Sequence, residues 1–196
     1  MTTAVKLVCD DGSIIGLAVR RWMGDVPSEE RRVLQRVIAP VLDIGCGPGR
    51  HVGLLSRRGI ASLGLDVSPA ALDLARSRGA FVLGRSVFER VPGTGRWMTA
   101  LLLDGNIGIG GSPRALLART RSLLRSGGRA LVELAGPRER SRVVRARIES
   151  ASTKSAFFPW AVLSVRDVRS VASASGFEVH ASWEDDRRWF GELRAS

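Results

Sequence analysis

One short stretch constrains this chain more than any other: Val41 to Arg50, reading V-L-D-I-G-C-G-P-G-R. Val41, Leu42 and Ile44 suit a buried strand, with the carboxylate of Asp43 set among them. Gly45, Gly47 and Gly49 follow, alternating with other residues, and glycine has no Cβ to hold a ligand off the backbone. The loop is built to be touched, and Arg50 starts a segment that can open a helix. In a dinucleotide fold such a loop delivers a pyrophosphate to a helix N-terminus, with the fingerprint G-x-G-x-x-G. Here the third glycine comes one residue early, and Asp43 would repel a phosphate. A ligand with a cationic head fits better.

The following residues narrow the choice. Ala61 to Leu65 reads as a second strand closed by Asp66, and Ser68-Pro69 supplies a cap and a first residue for a new helix. An acid at the tip of that strand is placed to take two ribose hydroxyls. The pattern D-x-G-x-G-x-G resembles the first motif of the class I S-adenosylmethionine-dependent methyltransferases, and G-L-D-V-S-P-A-A-L-D-L-A-R-S-R-G resembles the second. The resemblance implies S-adenosylmethionine as cofactor and S-adenosylhomocysteine as product. It places Asp43, Gly45, Cys46, Gly47 and Gly49 around the methionine end and Asp66 on the ribose. Val67, Ser86 and Val87 fall on the adenine side, with Asp104 and Gly105 completing the cofactor surface. Ser86 departs from the family pattern, which commonly has an acid there for the adenine amino group.

A chain of 196 residues can bury one sizeable α/β core, so a single domain over residues 1–196 is expected. No apolar run reaches the roughly 18 to 20 residues that span a bilayer, and no signal peptide stands out, so the expected location is the cytoplasm. Cys9 and Cys46 are the only cysteines and form no C-x-x-C pair. Within the loop, Cys46 answers a need for a small side chain more than for a thiol. With His51 and His180 the only histidines, no metal site is expected. A net charge of +11 would ordinarily suggest nucleic acid. Yet all but two of the 30 basic residues are arginine, spread along the chain among abundant Ala and Gly, which looks like the codon usage of a GC-rich genome. The densest run, Arg138 to Arg147, would present its arginines on more than one face of a helix, a solvated surface by default.

Along the chain, Val5–Val8 and Ile14–Val19 flank D-D-G-S as a hairpin. A helix opens at Ser28, its cap, and runs to Ile38, with Glu29 and Glu30 favouring the N-terminal dipole and Val33, Leu34, Val37 and Ile38 the apolar stripe. Residues 1–39 are thus a leading cap or lid, with Trp22 and Met23 as candidates to cover the site. His51, in the first turn after the loop, is either a contact near the cofactor or a solvent-facing residue. Trp97–Leu103 is a continuously apolar fourth strand ending in Asp104-Gly105-Asn106, which points Asp104 and Asn106 at the reaction zone outside the strands' carboxyl ends. The I-G-I-G-G run that follows leaves room for a substrate to approach. A helix from Ser112-Pro113 and a strand over Arg129–Leu134 come next, with Glu133 facing the pocket or paired to an arginine. Phe157, Phe158 and Trp160 lie in an insertion near residues 136–163 and suit the wall of a flat or apolar acceptor. A helix over Val165–Ser175 and a hairpin around Glu184-Asp185-Asp186 close the chain, and His180 reads as structural.

The expected fold is a Rossmann-like, seven-stranded, mostly parallel sheet with an antiparallel last strand and helices on both faces. The expected activity is methyl transfer from S-adenosylmethionine to a small-molecule acceptor by in-line displacement. Asp104 is the first candidate base if the acceptor must lose a proton, with His51, Glu133 and His180 behind it. RNA as acceptor, a cofactor-binding module without turnover, and a nicotinamide-dependent oxidoreductase using Asp66 on its ribose are the competing readings. No N-P-P-[YF] tetrapeptide and no appended nucleic-acid domain support the RNA reading.

Overall fold

A computed structural model describes residues 5–151 and 153–196. The first four residues of the expected lid, and one residue of the expected insertion, lie outside the described residues. The chain opens with a hairpin of β1 (Lys6–Cys9) and β2 (Ile14–Gly16), then α1 (Val19–Met23) and α2 (Ser28–Leu34). There follow β3 (Val41–Ile44), α3 (Arg50–Arg57), β4 (Ser62–Asp66), α4 (Pro69–Ser77), β5 (Val82–Gly84) and β6 (Trp97–Leu102). A 3-10 segment (Asn106–Gly111) leads to α5 (Pro113–Leu123) and β7 (Leu124–Leu134). The last elements are β8 (Arg142–Glu149), β9 (Phe158–Val162), α6 (Val168–Ser173), β10 (Phe177–Asp185) and β11 (Arg188–Ala195).

Seven strands form the main sheet in the order β10-β11-β7-β6-β3-β4-β5. The pairs among β3 to β7 are parallel, and β11 lies antiparallel between β7 and β10. Alternation along β3 explains why both faces are covered: Leu42 and Ile44 join the core under α5 and α6, while Val41 joins Val33, Leu34 and Leu55 under α2 and α3. Ser68 and Ser112 cap α4 and α5 as expected, each accepting the N–H three residues on at 3.4 and 3.2 Å. No helix among the described residues is long and apolar enough to cross a membrane.

The second sheet was not legible in the sequence. Strand β1 pairs with β8, and the order β2-β1-β8-β9 joins the leading hairpin to the insertion, elements far apart in the chain. The arginine-rich run is therefore a strand, not a helix. Val144 and Ala146 turn inward and Arg145 outward, the period of two that a half-buried strand requires. Several boundaries also differ: β7 starts at Leu124 in place of the expected Arg129, and α6 covers Val168–Ser173 of the expected Val165–Ser175. Pro27 occupies the capping position of α2 in place of Ser28, and α2 stops at Leu34, leaving Ile38 exposed. The closing turn is Asp186-Arg187, both at positive φ (48° and 61°), so only the last acid of the expected cluster lies in it, while Glu184 and Asp185 belong to β10.

Candidate functional site

The three glycines of the loop have different duties. All have positive φ (74°, 52° and 75°). A Cβ on Gly45 would come within 2.6 Å of the Asn106 side chain, and one on Gly49 within 2.8 Å of Ala75, so both admit protein neighbours. At Gly47 a Cβ would meet nothing within 4 Å, so this is the position left open to a ligand. The loop is pinned from two sides. Gly45 and Cys46 donate their N–H groups to the Leu65 carbonyl, and Asp66 accepts the N–H of Gly47 and of Ser68 at 2.8 Å each. Cys46 packs against Gly64, where a side chain would strike its sulfur, and burial pushes its thiol well above the ordinary range. Its requirement is small size. Val67 is exposed and flanks the open loop, Ser86 donates its N–H to Glu89, and Val87 is buried in the core under α5.

Behind the loop lies a cluster of ion pairs that the sequence did not reveal. Glu30 is fully buried and reaches Arg50 (2.8 Å), His51 (2.8 Å), Arg188 (2.7 Å) and Arg21 (3.5 Å). Arg50 bridges onward to Asp104 at 2.7 Å, which also takes Arg21 at 3.1 Å. The Asp104 N–H donates to Glu133 at 2.6 Å, and Asp104 stands at φ 57°, a strained setting for a non-glycine residue. Glu133 thus does both things expected of it, facing the pocket and pairing with an arginine, Arg188. His51 is neither exposed nor free: its ring lies between Glu30 and, at 3.5 Å, the buried Asp43. Burial opposes its charge, but the two carboxylates override it and raise its pKa to about 9. In return, Glu30 is held down at about 2 despite its burial, by His51, Arg50 and Arg188.

Glu30, His51 and Asp104 offer ligand atoms within 4.8 Å of one another. Arg50 already spans the two carboxylates, and Glu30 and Asp43 beside His51 favour its charged form, so this trio is arranged for guanidinium and imidazolium, not for a metal ion. Asp104 likewise has its oxygens engaged by guanidiniums, which suits it to hold the geometry of its loop.

A cavity of about 240 Å³ opens between the inner face of the small sheet and the carboxyl ends of the large one. Trp22, Asp104, Gly105, Glu133 and Trp160 line it with Leu7, Ile15 and Ile107. Phe158 instead packs edge-on against Trp160 in the small sheet's core, and Phe157 lies outside under Arg147. Asn106 does not face the cavity. Its amide donates to the carbonyls of Ile44 and Gly45, both at 2.9 Å, locking the loop to the end of β6. The glycines of the 3-10 segment admit protein and not substrate: a Cβ on Gly108 would overlap the Ala161 carbonyl, and one on Gly111 would strike Pro159. Met23 lies over Gly49 at a second, more open hollow, and His180 is exposed at the terminal hairpin, accepting a bond from Arg194. Arg21, Glu30, Arg50 and Arg188 escaped notice because arginine is common throughout and acids open many helices.

A largely parallel sheet with a glycine loop and an acid at the tips of adjacent strands, and a roofed cavity at the end of a neighbouring strand, defines an α/β protein of the doubly wound class. Comparison with known proteins refines this. A family model described as a methyltransferase domain matches residues 41–128. Uncharacterized proteins of Mycobacterium tuberculosis and Mycobacterium bovis are 38% identical over 98 residues, a match spanning 50% of this chain and 33% of each relative. Among solved structures, a methyltransferase from Bacteroides fragilis in complex with S-adenosyl-L-homocysteine superposes with a TM-score of 0.83 at 19% identity, covering 100% of this chain and 90% of that one. An amino pentose methyltransferase from Micromonospora echinaspora, with S-adenosylmethionine bound, gives 0.64 at 21% identity over 91% and 95% of the two chains. A 1,6-didemethyltoxoflavin-N1-methyltransferase from Burkholderia thailandensis gives 0.60 at 19% over 91% and 85%. The chain has the fold of the class I S-adenosylmethionine-dependent methyltransferases, and residues 41–128 carry the sequence of a methyltransferase domain.

Proposed function

We propose that this protein binds S-adenosylmethionine and transfers its methyl group to a small-molecule acceptor held in the cavity between the two sheets. One observation carries the reading: the cavity meets the expected cofactor surface at Asp104 and Gly105, while the open Gly47 and the Asp66 carboxylate lie outside its lining. Two ligands could therefore meet at the end of β6. Gly47 offers bare backbone, Asp66 an acid at ribose position, and Val67 an exposed apolar face. Asp43, Gly45, Cys46 and Gly49 shape the loop from beneath, and Ser86 and Val87 close the adenine side.

S-adenosylmethionine supplies a methyl group already activated by its sulfonium. The protein's part is then to hold an acceptor atom in line and to keep water out. Trp22 and Trp160 wall the cavity, and the ion cluster fixes Asp104 where cavity and loop join. The volume suits a compact acceptor: an apolar cavity of about 150 Å³ already accommodates benzene. The amino pentose and toxoflavin-precursor enzymes, which share the fold, are named for acceptors of the small-molecule kind. A binding module without turnover is the second reading, favoured by the engagement of Asp104 with arginines.

Titration calorimetry with S-adenosylmethionine, S-adenosylhomocysteine and NADH tests the cofactor. The first two are expected to bind, and Asp66→Ala to weaken them by about a hundredfold, near 2.7 kcal/mol. Tighter binding of NADH, or indifference to Asp66, would reject the assignment. Release of S-adenosylhomocysteine in the presence of a small-molecule acceptor panel separates enzyme from module.

A further inference from the structure

We propose that Arg188 is a positioning residue for the cofactor and acceptor sites, acting through Glu133 and Glu30; the inference rests on the cofactor reading above. Arg188 is the first residue of β11. Because β11 runs antiparallel to β7, with Trp189 opposite Leu134 and Phe190 opposite Glu133, its start lies at the end of the sheet where the parallel strands finish. The two-residue turn at Asp186-Arg187 delivers its side chain there.

The guanidinium is nearly buried and meets four carboxylates. Its Nε and Nη2 form a fork on Glu133 at 2.9 and 2.7 Å, Nη1 donates to Glu30 at 2.7 Å and Glu29 at 3.1 Å, and Nη2 lies 3.5 Å from Asp104. Arg21 and Arg50 also bridge Glu30 and Asp104, but among the described residues of the cluster only Arg188 pairs with Glu133 as well. Through Glu133 it holds the acceptor of the Asp104 N–H, and so the strained backbone where cavity and loop join. Through Glu30 it holds the partner of Arg50 and His51, the first residues after the glycine loop. Arg188 itself lines neither the cavity nor the loop, so it contributes by orienting other groups.

Geometry makes arginine specific here. A planar fork can bind Glu133 on one edge and Glu30 on the other, whereas the point charge of a lysine satisfies one carboxylate at a time. Removing the guanidinium also leaves charge unbalanced. The cluster contains Glu29 and Glu30 from α2, Asp43 from β3, Asp104 and Glu133, against Arg21 from α1, Arg50 and His51 from α3, and Arg188.

The test uses the full chain with S-adenosylhomocysteine as probe, titrated between about pH 6 and 9, for wild type, Arg188→Lys, Arg188→Met and the control Arg194→Lys. Arg194 pairs with Glu192 on the same strand, away from the site. We expect Arg188→Lys to keep its fold by circular dichroism and to bind about tenfold more weakly, near 1.4 kcal/mol. Arg188→Met should bind still more weakly and recover in part with millimolar guanidinium. Arg194→Lys should match wild type. The proposal is overturned if Arg188→Lys binds like wild type at every pH, if Arg194→Lys loses as much, or if Arg188→Lys fails to fold, which would make the role structural. Failure of wild type itself to bind the probe would overturn the cofactor reading and this inference together. Binding by wild type with no effect at Arg188 would overturn this inference alone.

Discussion

At the scale of single residues, His51 and Glu30 make a pair whose charges depend on each other. His51 carries a pKa raised from 6.5 to about 9, so its contribution to stability is fully present below 6.5 and is lost as pH rises through about 9. The amount is of order 3 kcal/mol, because each pKa unit corresponds to about 1.4 kcal/mol and the ring is buried. Glu30, depressed from 4.5 to about 2, has the opposite sense: its contribution is present above 4.5 and lost as pH falls through about 2. Thermal denaturation of wild type and His51→Gln across the alkaline range checks the first statement. The wild type should be the more stable at neutral pH, and the gap should close toward pH 9 and above. A gap that stays constant would mean that His51 is not charged in the folded state. At this scale the sequence marked His51 by its place after the glycine loop, but not its environment. Nothing local announces that Glu30 is buried, since acids in the first turn of a helix usually serve the dipole in solvent.

At the scale of elements, the junction between the sheets rests on backbone contact. The 3-10 segment lies against β9 through Gly108 and Gly111, whose missing Cβ atoms leave room for the Ala161 carbonyl, the Trp160 ring and Pro159. Gly108→Ala should force the two apart at a cost of about 1 to 3 kcal/mol, the usual penalty for overpacking. In a domain of this size that lowers the melting temperature by roughly 2 to 12 °C. The cavity bounded by Trp160 should be disturbed as well, so weaker binding by a cavity-filling acceptor should accompany the lower melting temperature. An unchanged melting temperature would show that β9 yields freely. The main sheet was legible because β3, β4 and β6 are local runs each followed by a loop and then a helix, α3, α4 and α5. The small sheet was not, because β1 and β8 become partners only after most of the chain has been placed between them. The run I-G-I-G-G was visible as an open loop, but what fills the opening is decided by β9, some fifty residues later in the chain.

For the whole molecule, many of the arginines are tied down by bonds to the protein itself. Arg36, Arg129 and Arg194 converge on the buried Glu192, Arg32 forks onto Asp185, and Arg119 holds the carbonyls of Val87 and Glu89. In the arginine-rich strand, Arg147 pairs with Glu149 and Arg142 lies 3.6 Å from Asp11. The net charge of +11 already counts every acid, so these bonds leave it intact, but they fix many guanidiniums on acids and carbonyls of several elements instead of gathering them on one face for phosphates. Fluorescence anisotropy with a structured RNA should therefore show only binding weaker than about 10 µM at 150 mM salt, in the range of non-specific contacts. Submicromolar binding with a steep salt slope would favour RNA as acceptor. The placement of Arg188 has a further consequence for how the molecule comes into being on the ribosome. The glycine loop, Glu30 and Asp104 are all translated before the guanidinium that joins them, and β1 waits equally for β8. A nascent chain can thus lay down its parallel strands with Glu30 and Asp104 paired to Arg21 and Arg50, while Glu133 still lacks the guanidinium it pairs with. On the proposed role of Arg188, the fork on Glu133 and Glu30 closes only once the β10–β11 hairpin has been made, so cofactor binding should be weak in a chain that has not yet reached it.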